Sequence, residues 1–335
     1  MMSLVLAVVG LGNAFEPHAL SLQDLQDRAE VRWAAAPSAR RAQEVTRRFG
    51  FPVTTDIDRA ISDPDVGAVL LLSPANTHLE LARRAFAAGK HVLCEKPLDV
   101  SLERAELLVE AGRRADLRLS VALQTRFRPG NVRLRRALQG GVLGRIEAAS
   151  VEVPWWRDQA YYDEPGRGTR WRDGGGVLLT QAIHAIDLFR SFVGVSEVIA
   201  AQVKTTGLHR METEDYAAAM VRLGNGAPGT ILATTAAYPG SPETIRIIGT
   251  DAVARITGGG LTISRMMDGA AEVIADESGS AGGPRPMAFR HDAHRDLISD
   301  FIDAIEDERD PAVTGEEALA SQRLVEAILT KARET

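Results

Sequence analysis

The chain has 335 residues, of which 45% are hydrophobic and 25% are charged, and its formal net charge at pH 7 is -6. This composition indicates a globular protein long enough for two domains, and it excludes the basic surface that nucleic-acid binding requires. No segment approaches the roughly 18 consecutive apolar residues of a membrane span. The single cysteine, Cys94, rules out an internal disulfide. We therefore expect a cytoplasmic protein whose partners are small molecules.

Short apolar runs alternate with helical patterns over residues 1–124, which is typical of a parallel α/β sheet with helices on both faces. One helix is predicted from Thr77 to Ala88, with a capping box formed by Thr77 and Glu80 and a left-handed stop at Gly89. Another is predicted to begin after Ser101, an N-cap residue. The predicted strands are Leu4 to Val9, Val31 to Ala36, Ala68 to Leu72, His91 to Cys94 and Leu119 to Leu123.

After about Thr125 the strand-like runs follow one another with few helices between them, which predicts an α+β domain with a mostly antiparallel sheet over residues 125–335. A segment rich in glycine, serine and proline, Ser278 to Pro286, is predicted to be a mobile loop. Three helices are predicted in this half: Val177 to Phe192, Arg290 to Glu306 and Gly315 to Ala332. The predicted strands are Ile146 to Val153, Val198 to Lys204, Ala217 to Leu223 and Thr230 to Ala236.

A glycine turn joins the first predicted strand to the helix that follows it. Gly10 permits a tight turn, and Gly12 lets the backbone approach the pyrophosphate of a dinucleotide at the N-terminus of the helix. Phe15 replaces the third glycine of the usual fingerprint, so a plain turn with two glycines is the alternative. The predicted cofactor contacts in this turn are Gly10, Leu11, Gly12, Asn13 and Ala14.

The end of the second predicted strand bears on the choice between NAD and NADP. An acidic residue there would bind the ribose 2′-hydroxyl of NAD, but residues 35–41 contain no carboxylate. Ser38 is placed to donate to a 2′-phosphate, and Arg40 or Arg41 to neutralise it. We therefore predict NADP in preference to NAD; the alternative is that these arginines form a solvated helix face.

Two more turns follow predicted strands, and ligands of open α/β sheets bind at the carboxyl ends of strands. Lys96 places a cation directly after a buried strand, which makes it a candidate for chemistry as well as for cofactor binding. The other turn, Ser73 to His78, follows the predicted strand that ends at Leu72. In its alternative interpretation, Asn76 and Thr77 merely start a helix and His78 is exposed. The cofactor contacts predicted in the two turns are Ser73, Pro74, Asn76, His78, Glu95 and Lys96.

Three consecutive glycines, Gly174 to Gly176, precede a predicted helix that places Thr180, His184 and Asp187 on one face. An imidazole can take a proton from a hydroxyl near neutral pH, and Asp187 is placed to orient it. A structural role for His184 is the alternative.

The order of these motifs (glycine turn, Ser73 to His78, Glu95-Lys96-Pro97, then the glycine run and His184) resembles the Gfo/Idh/MocA family of oxidoreductases over nearly the whole chain. The resemblance implies a Rossmann domain followed by a substrate-binding and oligomerisation domain with a large open sheet. It also implies a homodimer or homotetramer.

The family's chemistry implies NAD(P)-dependent hydride transfer between nicotinamide and a secondary alcohol or ketone of a sugar, cyclitol or similar cyclic polyol. In that scheme Lys96 stabilises charge on the substrate oxygen and His184 acts as acid or base. The resemblance further implies a cis bond before Pro97. Thr180 departs from the family, which often has aspartate at that position. A non-catalytic sensor with the same fold is the alternative, but the intact Lys96 and His184 favour an enzyme.

Aromatic and basic residues before the glycine run suggest contacts to a sugar ring, because aromatic faces stack on rings while guanidinium groups bind hydroxyls or carboxylates. Core packing and salt bridges are the alternative. His291 and His294 share a helix face but lack a third metal ligand, so no metal is predicted. The predicted substrate contacts are Lys96, Arg126, Trp156, Tyr162, Trp171, Thr180 and His184.

Overall fold

The chain folds into two units. In the computed structural model, which describes residues 3–275 and 290–334, the first unit contains the residues up to Gln124 together with His291–Ala320. The second contains Thr125 to Arg290 and the residues from Ser321 onward. The predicted division at residues 124 and 125 differs from this grouping in one respect, since it assigned His291–Ala320 to the second domain.

The first unit is built on a parallel sheet of six strands: β1 Leu4–Val9, β2 Ala29–Ala35, β3 Val53–Thr54, β4 Ala68–Leu71, β5 His91–Cys94 and β6 Leu119–Val121. The strand order is β3-β2-β1-β4-β5-β6, and every neighbouring pair is parallel. Helices cover both faces of such a sheet, which explains why β4 is an uninterrupted buried apolar run. The helices that connect these strands are α1 Phe15–Asp24, α2 Ala39–Phe49, α3 Ile57–Ser62, α4 His78–Ala87 and α5 Leu102–Ala115.

The predicted helix boundaries in this unit are partly confirmed. Ser101 caps α5 by accepting the Arg104 N–H at 3.3 Å, and Gly89 has a φ of 73° after α4, as predicted. The prediction of a capping box formed by Thr77 and Glu80 is wrong. The Thr77 hydroxyl contacts the Ser73 hydroxyl and the Pro74 carbonyl, and Glu80 binds Arg104, so tertiary partners replace the local cap.

The second unit is built on an eight-stranded sheet in the order β14-β13-β12-β11-β7-β10-β9-β8. Only the pair β7 and β10 is parallel, which confirms the predicted, mostly antiparallel sheet. The strands are β7 Ile146–Pro154, β8 Val195–Lys204, β9 Tyr216–Leu223, β10 Pro228–Thr234, β11 Thr244–Gly249, β12 Ala252–Thr257, β13 Gly260–Arg265 and β14 Ala271–Ile274. The helices are α6 Pro129–Gln139, α7 Gln159–Tyr162, α8 Arg170–Asp173, α9 Val177–Thr180 and α10 Ile183–Val193.

The single helix predicted from Val177 to Phe192 is in fact two, α9 and α10. The amide of Ala182 donates to the carbonyl of Val177, five residues back, at 2.8 Å. This wider turn interrupts the four-residue spacing of α-helical hydrogen bonds. Thr180 and His184 therefore lie on different helices, and the prediction of one continuous polar face is wrong.

Two C-terminal helices follow, α11 Asp292–Glu306 and α12 Gly315–Arg333. α11 packs against α1, with Leu297, Ile298, Phe301 and Ile302 buried, which is why this segment groups with the first unit. The predicted mobile loop, Ser278 to Pro286, lies outside the described residues. Across the part of the chain that the structure describes, no helix has both the length and the apolar character needed to cross a membrane.

Candidate active site

The glycine turn after β1 fits the pyrophosphate of a dinucleotide. Gly10 has a φ of 104°, and a Cβ at this position would collide with the backbone nitrogen of Ser73. A Cβ at Gly12 would meet no atom of the described residues within 4 Å. The backbone at Gly10 is therefore packed against the residues that follow β4. The backbone at Gly12, shortly before α1, leaves room for another group. Phe15 fills the space of the missing third glycine by packing edge-on against Phe49, with ring centroids 5.4 Å apart.

The residues predicted to select NADP lie at the start of α2. The Ser38 hydroxyl accepts the N–H of Arg41 at 3.3 Å and caps the helix. The Arg41 guanidinium donates from Nε to the carbonyl of Leu11, which ties α2 to the glycine turn, and also pairs with Glu44 at 3.1 Å. The side chain of Arg40 is 89% exposed. Of the two arginines, Arg40 is thus the more accessible to a phosphate group.

The turns after β4 and β5 are joined by His78. Its Nδ1 lies 3.1 Å from the carbonyl oxygen of Pro97 and 3.0 Å from that of Leu98, while Nε2 lies 2.9 Å from that of Ser73. His78 is buried, so its interpretation as an exposed first-turn residue is wrong. The side chains of Pro74 and Asn76 stay at least partly accessible in the same turn.

Glu95 holds the backbone of Lys96. One carboxylate oxygen lies 2.9 Å from Nε2 of His18 on α1, and the other accepts the N–H of Lys96 at 3.0 Å. Burial alone would raise the pKa of Glu95, but the hydrogen bond with His18 and the nearby charges of His18, Lys96 and His294 lower this pKa to about 2. The Lys96–Pro97 peptide is cis, as the family resemblance implies.

In the second unit, Glu214 organises the glycine run. Its carboxylate accepts the N–H groups of Gly176 at 3.1 Å and Leu178 at 3.2 Å, at the start of α9. A Cβ at Gly176 would collide with the carbonyl of Glu214. Sequence reasoning missed this residue, although the signal was of the kind that singled out Lys96: a charged side chain directly beside an apolar strand.

Thr180 at the end of α9 and His184 near the start of α10 lie close together in sequence. The Thr180 hydroxyl donates to the carbonyl of Gly176 at 2.7 Å and contacts the side-chain amide oxygen of Gln181. Gln181 in turn donates to the Tyr161 hydroxyl at 3.2 Å. His184 is half-buried near the start of α10.

Asp187, predicted to orient His184, is bound to Arg126 and Ser321. Its carboxylate accepts two hydrogen bonds from Arg126, both of 2.6 Å, and one from Ser321 of 2.7 Å. Arg126 and Asp187 are both buried. Two of the three guanidinium nitrogens of Arg126 are therefore bound to Asp187.

The predicted aromatic contacts differ widely in exposure. Trp171 is 65% exposed, and Trp156 is half-buried, edge-on to Tyr238 at 5.4 Å between ring centroids. Tyr162 is buried, its hydroxyl lies 2.6 Å from that of Thr235, and burial raises its pKa. Its position in the core gives no support to the predicted substrate contact.

Comparison with known proteins identifies the family of the chain. The protein-family model described as "Oxidoreductase family, NAD-binding Rossmann fold" matches residues 4–123. The family model of the GFO/IDH/MocA C-terminal domain matches residues 131–255. The chain belongs to the Gfo/Idh/MocA family. The predicted fold class is therefore confirmed, as is the prediction of an NAD(P)-dependent oxidoreductase acting on CH–OH groups.

The similarity to individual proteins extends over nearly the whole chain. Myo-inositol 2-dehydrogenase of Thermotoga maritima is 28% identical over 322 residues, covering 93% of this chain and 91% of that protein. The WlbA dehydrogenase from Bordetella pertussis, solved with NADH and UDP-GlcNAcA, is 26% identical with a TM-score of 0.84, over 99% of this chain and 97% of that one. Levoglucosan dehydrogenase in complex with NADH and levoglucosan shares the fold with a TM-score of 0.89 at 22% identity, covering 99% and 98%.

Proposed function

We propose that the protein transfers hydride between nicotinamide and a secondary ring hydroxyl, or the matching ketone, of a cyclitol or sugar. The observation that carries this proposal is the similarity to an inositol dehydrogenase over both domains, in a chain that has Lys96 and His184 in the family's motifs. The alternative of a non-catalytic sensor gains no support from the comparisons.

The glycine turn would hold the cofactor's pyrophosphate at Gly12, where the backbone is open, and the turns that carry Ser73 and Lys96 would line its nicotinamide half. Bound nicotinamide supplies the hydride acceptor or donor. The chain's own residues manage the hydroxyl proton. Lys96 stabilises the negative charge that develops on the substrate oxygen, and His184 accepts the proton in oxidation or returns it in reduction.

We further propose NADP as the preferred cofactor. Support comes from the lack of a carboxylate at residues 35–41 and from the exposed side chain of Arg40. Kd values for NADPH and NADH, measured for the wild type and Arg40→Ala, test this choice. We expect NADPH to bind at least tenfold more tightly and the variant to lose most of that difference. Tighter binding of NADH by the wild type would contradict the choice.

The open sheet supports a homodimer or homotetramer. Exposed apolar side chains include Ile199 and Met220 on the neighbouring strands β8 and β9, and Ile248 on β11. Apolar side chains that group on a surface commonly mark a protein interface. Sedimentation of the wild type and Met220→Lys tests the assignment. We expect the charged side chain to weaken the oligomer, whereas a monomeric wild type would contradict it.

Turnover of cyclic polyols with NAD or NADP tests the catalytic proposal. We expect Lys96→Met and His184→Asn each to lower kcat by about 10²-fold or more. Lys204→Met removes an exposed lysine on β8 and serves as a matched control, with turnover unchanged. Full activity of Lys96→Met would remove Lys96 from the mechanism. Cofactor binding by a wild type that turns over no polyol or ketone would favour the sensor.

A further inference from the structure

A chain of hydrogen bonds runs from the core of the first unit to the backbone of Lys96. It begins at His18 on α1, whose side chain is 0% exposed. Nε2 of His18 lies 2.9 Å from one oxygen of Glu95, and the other oxygen of Glu95 accepts the Lys96 N–H. Because an anionic carboxylate only accepts hydrogen bonds, Nε2 carries the proton in this contact.

His294 on α11 is the second histidine of this cluster. Its ring stands edge-on to that of His18, with centroids 5.0 Å apart, and its charge contributes to keeping Glu95 ionised. Glu95 thus has a histidine partner from α1 and a second one nearby from α11, elements far apart in sequence. The Glu95 side chain is only 12% exposed and accepts two contacts, so it has little freedom to move, and the backbone that it holds is also fixed.

We propose that His18 is a positioning residue: acting through Glu95, it fixes the backbone from which the Lys96 side chain extends. This inference rests on the proposed role of Lys96 at the substrate oxygen. Oxyanion stabilisation depends steeply on geometry, and a misplacement of about 1 Å can lower a rate by about 10²-fold. His18 itself makes no contact with the reacting atoms in this scheme.

The same three side chains also resemble a metal-binding group, since His18, Glu95 and His294 bring their ligand atoms within 4.8 Å of one another. Nδ1 of His18, however, is buried and lacks a hydrogen-bond partner among the described residues. Metal-bound histidine almost always donates its second ring N–H to an acceptor. The geometry therefore favours a hydrogen-bonded network over a metal centre.

Two substitutions at His18 separate positioning from simple packing. His18→Gln keeps a donor for Glu95, whereas His18→Leu removes it. We expect His18→Leu to lower kcat by about 10- to 10²-fold while the KM for the polyol and the Kd for the cofactor stay within about threefold. His18→Gln should recover most of the lost kcat. In a Lys96→Met background, His18→Leu should cause little further loss, because its effect passes through Lys96.

His91→Leu is the matched control, since His91 is a half-buried histidine at the opposite end of β5 whose Nδ1 accepts the Arg118 N–H. Its kcat should stay unchanged. Equal losses in His18→Gln and His18→Leu, or an undiminished loss in the Lys96→Met background, would overturn the proposal. A divalent transition metal such as zinc, bound at one equivalent in the purified wild type and absent from His18→Leu, would also overturn the proposal.

Failure of the proposed function would be recognised separately, as a wild type without turnover. In that case, crystal structures of the wild type and His18→Leu with bound cofactor decide the positioning role. We expect Glu95 and Lys96 to be displaced in the variant. An unmoved Lys96 would overturn the proposal.

Discussion

Arg126 and Asp187 form a buried ion pair in which Nε and Nη2 of the guanidinium each lie 2.6 Å from a carboxylate oxygen. The pair joins the start of the second unit to α10, the helix that carries His184. Removing one partner of a buried pair leaves an uncompensated charge, which typically costs about 3–5 kcal/mol.

We therefore expect Arg126→Met to lower the free energy of unfolding by several kcal/mol, as measured by urea denaturation. Arg133→Met is the control, because Arg133 forms a geometrically similar pair with Glu272 at the surface, where the loss should be about 1 kcal/mol or less. A stable Arg126→Met that raises only the KM for an acidic substrate would instead support the role in substrate binding predicted from the sequence.

The two glycines of the turn after β1 should respond differently to alanine. Gly12→Ala points its methyl group into open space, so the free energy of unfolding should change by no more than about 0.5 kcal/mol. The Kd for the cofactor should rise by tenfold or more, because the methyl group would occupy the space of the pyrophosphate. Fluorescence titration with NADH and NADPH measures this rise, and unchanged binding would exclude the proposed cradle.

Gly10→Ala provides the comparison, since it collides with the backbone at Ser73 and imposes an L residue on a φ of 104°. It should destabilise the protein by several kcal/mol. Equal effects of the two substitutions on stability would contradict the distinction between them.

The close contact between Gly176 and Glu214 predicts that Gly176→Ala disturbs the glycine run. A methyl group at Gly176 collides with the Glu214 carbonyl, so Gly176→Ala should reduce the free energy of unfolding by about 1–3 kcal/mol and reduce turnover. Gly207→Ala is the control, because a Cβ there meets no described atom within 4 Å. Thermal unfolding and steady-state kinetics of both variants check the result. Full stability of Gly176→Ala would show that Glu214 does not confine the glycine run.

The ionisation of Glu95 should make the free energy of unfolding depend on pH in the acid range. Its pKa is about 2 in the folded state and 4.5 in the ordinary reference state, so the unfolded chain binds the proton more tightly. The stabilisation is complete above pH 4.5 and is lost as the pH falls towards 2, amounting to about 3 kcal/mol. The difference in unfolding free energy between the wild type and Glu95→Gln should therefore shrink over this range. Urea denaturation at several pH values measures it, and a constant difference would contradict the lowered pKa.

Local patterns predicted many of the elements in both units, because the periodicity of apolar residues and the position of glycine depend on near neighbours. Strands β11 to β14 and helix α6 were not predicted. Strands Leu4–Val9 and His91–Cys94 agree with prediction to the residue. The break between α9 and α10 could not be predicted, since the apolar residues keep the same spacing across it. Local signals also misassigned Thr77, whose hydroxyl has tertiary partners instead of capping the helix.

The sequence by itself determined the family, the two types of sheet, the turn in which Lys96 lies and the helical segment that carries His184. Tertiary structure alone decided which polar groups meet: Arg126 and Asp187 are 61 residues apart, Gly176 and Glu214 are 38 apart, and His18 and Glu95 are 77 apart. Helical and strand periods specify which face a residue occupies but not which distant face lies opposite. Which distant residues face each other depends on the order of the strands in each sheet and on which charged groups become buried. Both are set only when the whole chain folds.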